Sequence, residues 1–297
     1  MNINKYLLLS LVLLMGFGPL QTLSQPIKAH ANAGVPTATW LWNTSTIAAQ
    51  GNEILSFAGN NQVKQIYLQV NKDIPFNTYK TFIQKATEKG IEIHALDGSP
   101  QWVSSKGSAY SKEFFNWVGN YQKSASQTQR FTGIHLDIEP YLYSGWNSKF
   151  KNTVLAYQNI INHAAITSEQ LGLTFGIDIP FWFDEIAYSN TYGKGNLANW
   201  AIKTTSFTTI MAYRDQAAGG NGIIELVRNE VQYASSLGKP IVIGVETGKS
   251  EEANLVSFYE EGAAHMYSQL SLVKSAYPQP DVTFAIHHLH SWMIMAP

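Results

Sequence analysis

The chain has 297 residues, with 20 lysines and arginines against 21 acids and a net charge of −1. So even a balance excludes a protein that holds nucleic acid or anionic membrane by bulk charge, and the absence of cysteine excludes disulfides, a thiol nucleophile and a thiolate-bound metal. Charged residues make up 14% and aromatics 12%, with 8 Trp and 15 Tyr, a mixture that suits neutral carbohydrate, whose C–H faces stack on amphipathic rings.

The first segment, residues 1–31, is expected to be a signal peptide. Lys5 precedes the apolar run YLLLSLVLLMGFGPL, which is the length of a secretory core and short of the ~20 residues of a membrane span. Small residues in AHANA place cleavage after Ala31 or Ala33. Its removal takes Lys5 and Lys28 and no acid, leaving a weakly acidic domain over 32–297 that has to be stabilised by its core alone.

From there on, strand-like and helix-like segments alternate. The strands read TATWLWN, VKQIYLQVN, IEIHALDG, GIHLDIEP, LTFGIDIPFW, FTTIMAYRD, PIVIGVETG and VTFAIHHLHSW. Between them lie helix-like stretches such as TYKTFIQKATEKG, SKEFFNWVGNYQK, KNTVLAYQNIINHAAITSEQLG and GIIELVRNEVQYASSLG, three of which stop at glycine. Eight βα units in about 250 residues predict a single (β/α)8 TIM barrel. A doubly wound sheet would carry a G-x-G-x-x-G turn after its first strand, and TWLWNTSTIAAQG has none.

Such barrels keep their chemistry at the C-terminal ends of the strands. Polar residues gather there in succession: Asp97, Asp137 with Glu139, Asp178, Tyr213 with Arg214 and Asp215, Glu246, and the stretch His287 to Trp292. Within IHLDIE, strand alternation predicts that His135, Asp137 and Glu139 share the barrel-facing side, neighbours ~6.5–7 Å apart. Crowded carboxyls in a poorly solvated site raise one another's pKa. A carboxyl kept protonated is what general-acid cleavage of a glycosidic bond requires.

TGIHLDIE resembles the D-G-x-D-x-D-x-E signature of family 18 glycoside hydrolases, the chitinases and endo-β-N-acetylglucosaminidases. Gly133, Asp137 and Glu139 match it, whereas Thr132 and His135 stand where that family has aspartates. MAYRD is similar to the family's M-x-Y-D through Met211 and Tyr213, with Arg214 in place of the aspartate, and Trp292 resembles the tryptophan that floors the family's sugar pocket. The resemblance implies Glu139 as general acid, Asp137 as the group that orients a substrate acetamido arm, and Tyr213 as its hydrogen-bond donor. The acetamido oxygen then serves as nucleophile and no cofactor is required. His135, Asp97, Asp178, Trp182, Arg214, Glu246, His288 and Trp292 complete the expected carbohydrate-binding set.

Other readings use the same residues. Glu139 as acid/base with Glu246 as nucleophile is the pattern of retaining glycosidases, although Ile138 occupies the place of their usual asparagine. HHLHSW offers His288 and His290 as a metal pair on one strand face, with His287 on the other; a structural or sugar-contacting role is the reading preferred here, and no metal is expected. A chitinase-like lectin would keep the barrel and lose the acid, which the presence of Glu139 argues against. Trp40 and Trp42 are expected to divide between two faces, one toward the pocket, and His94 to face the helices.

Overall fold

All eight predicted strand segments pair in parallel into one closed barrel. The computed structural model describes residues 34–297; the predicted leader lies outside them. In chain order the elements are β1 (Ala38–Leu41), α1 (Thr46–Asn60), β2 (Gln65–Gln69), α2 (Phe76–Glu88), β3 (Glu92–Asp97), α3 (Gly107–Ser124) and β4 (Gly133–Leu136). Then follow α4 (Gly145–Ser148), α5 (Phe150–Leu171), β5 (Thr174–Pro180), a hairpin of β6 (Ala187–Asn190) and β7 (Gly193–Asn196), α6 (Leu197–Thr204) and β8 (Phe207–Met211). The last are α7 (Ile223–Leu226), α8 (Arg228–Leu237), β9 (Ile241–Glu246), α9 (Gly262–Ala276), β10 (Val282–His287) and α10 (Leu289–Met293).

Round the barrel the order is β1-β10-β9-β8-β5-β4-β3-β2, with β1 closing on β10 through Ala38↔Ala285 and Thr39↔Ile286. The strands are the predicted ones; the β6–β7 hairpin is an addition, short and polar, inserted after the fifth barrel strand. The GIIELVRNEVQYASSLG segment is helical as expected but breaks at Val227 into α7 and α8. Glycines in left-handed geometry end α5 at Gly172 (φ 67) and α8 at Gly238 (φ 62), the predicted stops.

Two cores result from the strands' two faces. Outward residues such as Leu41, Ile66, Ile93, Ile134, Ile177, Ile210, Ile243 and Ile286 join the helices in the main core. Inward, Ala38, Trp40, Tyr67, Leu96, Phe207, Val242 and Ala285 fill the barrel. Large rings are accommodated beside small residues: a Cβ at Gly133 would meet the His94 ring at 2.5 Å. His94 therefore lies in the barrel interior, contrary to expectation, fully buried with Tyr67 and Phe207 as ring neighbours. Burial depresses its pKa, so it sits there uncharged.

Candidate active site

The motif GIHLDIEP holds strand geometry only to Leu136. Asp137 still donates its amide to the Asp97 carbonyl (3.1 Å), but Glu139 adopts φ 50, ψ 59, and Pro140 opens a 3-10 turn over Pro140–Leu142. Left-handed geometry at a non-glycine residue costs about 1–3 kcal/mol and concentrates at functional sites. The predicted common face is corrected accordingly. His135 points into the barrel at 0% exposure, Asp137 lies above it, and the turn carries Glu139 to the mouth, half-buried. There its Oε1 accepts a hydrogen bond from the Tyr141 hydroxyl.

Asp137 and Asp178 form the deepest acidic pair of the site. Burial pushes the Asp137 carboxyl well up, reinforced by Asp178 and then Glu139, and burial does the same for Asp178. Asp137 Oδ1 is buried with no partner. Asp178 spans the barrel interior: Oδ2 accepts from Trp40 Nε1 (3.0 Å) on the strand opposite, and Oδ1 meets His135 Nε2 (2.8 Å). His135 thus pairs with Asp178, not with Asp137, and burial lowers its pKa to about 3, so the bond is not an ion pair at neutral pH. Its ring stacks on Tyr67, centroids 3.8 Å apart.

Tyr213 ties the mouth together. Burial lifts its phenol well above the ordinary value, and Glu246, Asp178, Asp137 and Glu139 all push the same way. The hydroxyl therefore stays protonated. Arg214 donates to the Tyr213 carbonyl (2.7 Å) and to Asn221 Oδ1 (3.1 Å), with its guanidinium 5.1 Å from the Phe181 ring centre, so it braces the loop that presents Tyr213. Trp182 stands half-buried against Tyr141, centroids 5.0 Å apart, beside the acid.

On the other side, Glu246 accepts from the amides of Thr247 (2.8 Å) and Gly248 (2.6 Å) through Oε1, and from His287 Nδ1 (2.6 Å) through Oε2. His287 Nε2 in turn accepts from Trp42 Nε1 (2.9 Å). The proton on Nδ1 follows from that network. His287, expected on the strand face opposite His288 and His290, is the one of the three that turns to the barrel mouth. Trp40 and Trp42 are two residues apart and both lie on the inner side, since strand side chains repeat every second residue.

Three expected site residues fall elsewhere. Trp292 is not on a strand: β10 stops at His287, a capping box between His288 and Ser291 starts α10, and that turn swings Trp292 into the helix layer against Phe57, 4% exposed. His288 is spent on that cap, accepting the Ser291 amide (3.4 Å), and lines a separate cavity of about 540 Å³ with Thr247, Lys249 and Tyr259. His290 shares that helix rather than a strand face with His288, and their ring centroids are 6.4 Å apart. Asp97 accepts from Gly98 N (2.8 Å) and Gln69 Nε2 (3.4 Å) and faces a second pocket with Lys72, Ser99 and Trp102. Its neighbour Gly98 matters more: a Cβ there would lie 1.9 Å from the Asp137 carbonyl oxygen. Gly98→Ala is expected to displace the end of β4 and lower the melting temperature by several degrees while the far-ultraviolet circular dichroism stays that of an α/β barrel.

The fold and its mouth define a class: a (β/α)8 barrel with acids, a tyrosine and tryptophans converging at the C-terminal ends of its strands. Solved structures with this fold include the spore cortex-lytic enzyme SleL of Bacillus megaterium, at 12% identity and TM-score 0.52 over 89% of this chain and 74% of that one. A GH18 chitinase from Cycas revoluta in complex with (GlcNAc)3 is also similar, at 11% identity and TM-score 0.51 over 86% of this chain and 95% of that one. SleL of Bacillus cereus matches at 12% identity and TM-score 0.50 over 87% and 73%. No protein-family model and no curated protein matches the sequence.

Proposed function

We propose that the protein is a secreted glycoside hydrolase that cleaves a glycosidic bond beside an N-acetylated amino sugar in a cell-wall or extracellular polysaccharide. The observation that carries this reading is the placement of Asp137 and Glu139 just after β4, Asp178 on β5, Tyr213 just after β8 and Glu246 at the end of β9, all toward the same end of one closed barrel. The chitinase and cortex-lytic names of structures sharing the fold agree with it, and the apolar leader supports export. Among the described residues no helix is long and apolar enough to cross a membrane.

In this mechanism Glu139 protonates the departing oxygen while the substrate's acetamido oxygen closes on the anomeric carbon, giving a cyclic oxazolinium; Glu139, now a carboxylate, then takes a proton from the water that opens it. Tyr213 donates its hydroxyl to the acetamido oxygen and keeps that proton because its pKa is raised. Asp137 accepts the acetamido N–H. As positive charge develops, the proton held by the aspartate pair settles on Asp178, leaving Asp137 anionic toward the ring. Asp178 thus supplies from β5 the carboxylate that His135 denies to β4.

Glu246 is a poor nucleophile in this arrangement, because both its oxygens already accept hydrogen bonds. An acetamido-thiazoline, which mimics the cyclic intermediate, is expected to inhibit at least about a hundredfold more tightly than the N-acetyl sugar itself binds. Weak thiazoline binding together with azide rescue of a dead Glu246→Ala variant would assign the reaction to a covalent Glu246 intermediate instead.

A further inference from the structure

The Glu139–Asp137 pair and the Trp42–His287 pair occupy opposite sides of the barrel mouth. In the strand order, β10 stands directly across from β4 and β1 directly across from β5. Glu139 and Asp137 follow β4 and Asp178 lies two residues before the end of β5; Trp42 follows β1 and His287 ends β10. A sugar whose bond is protonated from the β4 side therefore has its other side toward Trp42 and His287. Beneath it the Trp40–Asp178 hydrogen bond closes the barrel, and Tyr213 flanks it with its ring 5.6 Å from His287.

The hydrogen bonds of Trp42, His287 and Glu246 all run one way. The indole donates to Nε2, Nδ1–H donates to Oε2, and two backbone amides hold Oε1. Every donor points toward the carboxylate, so the chain has a single polarity and fixes the half-buried indole from its polar edge. An aromatic held in this way loses little rotamer entropy on meeting a ligand. Trp292, expected to floor the pocket, packs in the helix layer and leaves that task open.

We propose that Trp42 is the stacking platform for the sugar ring that reacts, and that His287 and Glu246 are positioning residues that hold its indole in place. The inference rests on the glycosidase reading and adds to it the residue that recognises the apolar face of the pyranose. It also gives Glu246 a task other than nucleophilic attack. Replacing Glu246 by glutamine preserves volume but inverts the polarity: an amide N–H facing Nδ1 moves the imidazole proton to Nε2, where it opposes the indole N–H.

The test uses the full chain carrying Glu139→Gln and measures its calorimetric affinity for a trimer of β-1,4-linked N-acetylglucosamine. Adding Trp42→Ala is expected to weaken binding at least about tenfold. Adding Glu246→Gln weakens it by a smaller factor when Trp42 is present and has no further effect when Trp42 is alanine, a non-additivity that a merely structural role would not produce. Near-native folding of each variant is read from its thermal melt. Unchanged affinity in Trp42→Ala, or losses that simply multiply, would overturn the platform. Failure of the Glu139→Gln parent to bind the trimer would instead overturn the glycosidase reading, and the platform with it.

Discussion

Glu139→Gln is expected to lower kcat on an N-acetylated glycan by about a thousandfold or more, leaving KM within a few-fold of the unsubstituted protein. General-acid catalysis contributes roughly 10²–10⁴ in rate, and a residue that acts on the leaving oxygen contributes it only in the transition state. The local structure supports so selective an effect. Glu139 is half-buried in a turn, and its side-chain hydrogen bond is with the Tyr141 hydroxyl, on its own loop. A loss shared equally between kcat and the melting temperature would mean that the side chain holds the fold. Binding of glycan by both proteins with turnover by neither would make this barrel a lectin.

The second large effect lies away from the mouth. Glu230 on α8 is fully buried, and its carboxylate oxygens have no partner beyond the residue's own amide. Burial, with a smaller push from Asp184, lifts its pKa from 4.5 to about 8. The folded protein therefore keeps this proton between those values while the unfolded chain releases it, so stability is full below about pH 4.5 and is lost as pH rises toward 8. Above that point the penalty is on the order of 5 kcal/mol, from ~1.4 kcal/mol for each pH unit of displacement. Glu230→Met keeps the volume and removes the charge. It is expected to raise the melting temperature at pH 9 by about 8–16 °C relative to its effect at pH 5. Melting curves that respond to pH in parallel in the two proteins would contradict this assignment.

The barrel was legible because its strands are buried on both faces and read as short β-branched runs between amphipathic helices. The same double burial hid which residues face inward. In VTFAIH the apolar residues fall on both sides, so nothing in the alternation separates His287 from His288. The register does: His287 pairs with Glu246, the inward end of β9. Trp292 was lost for a local reason, since a histidine cap and Ser291 end the strand with residues that also suit a strand end. Asp178 was visible as a strand-end acid, but its hydrogen bonds to His135 and Trp40 cross 43 and 138 positions of sequence. Only the closed barrel brings it to the place where the signature on β4 lacks an aspartate.

The proton donor's identity can be read from the leaving group. With aryl N-acetylglucosaminides of falling phenol pKa, the need for an acid at the departing oxygen disappears, while every other requirement of the site remains. In the first turnover, before the base-assisted second step, the Glu139→Gln protein is predicted to release dinitrophenolate at close to the unsubstituted rate and to lose about three orders of magnitude on an alkyl or sugar leaving group. An equal loss on both would show that Glu139 does not deliver the proton, and the mechanism built on it would fall.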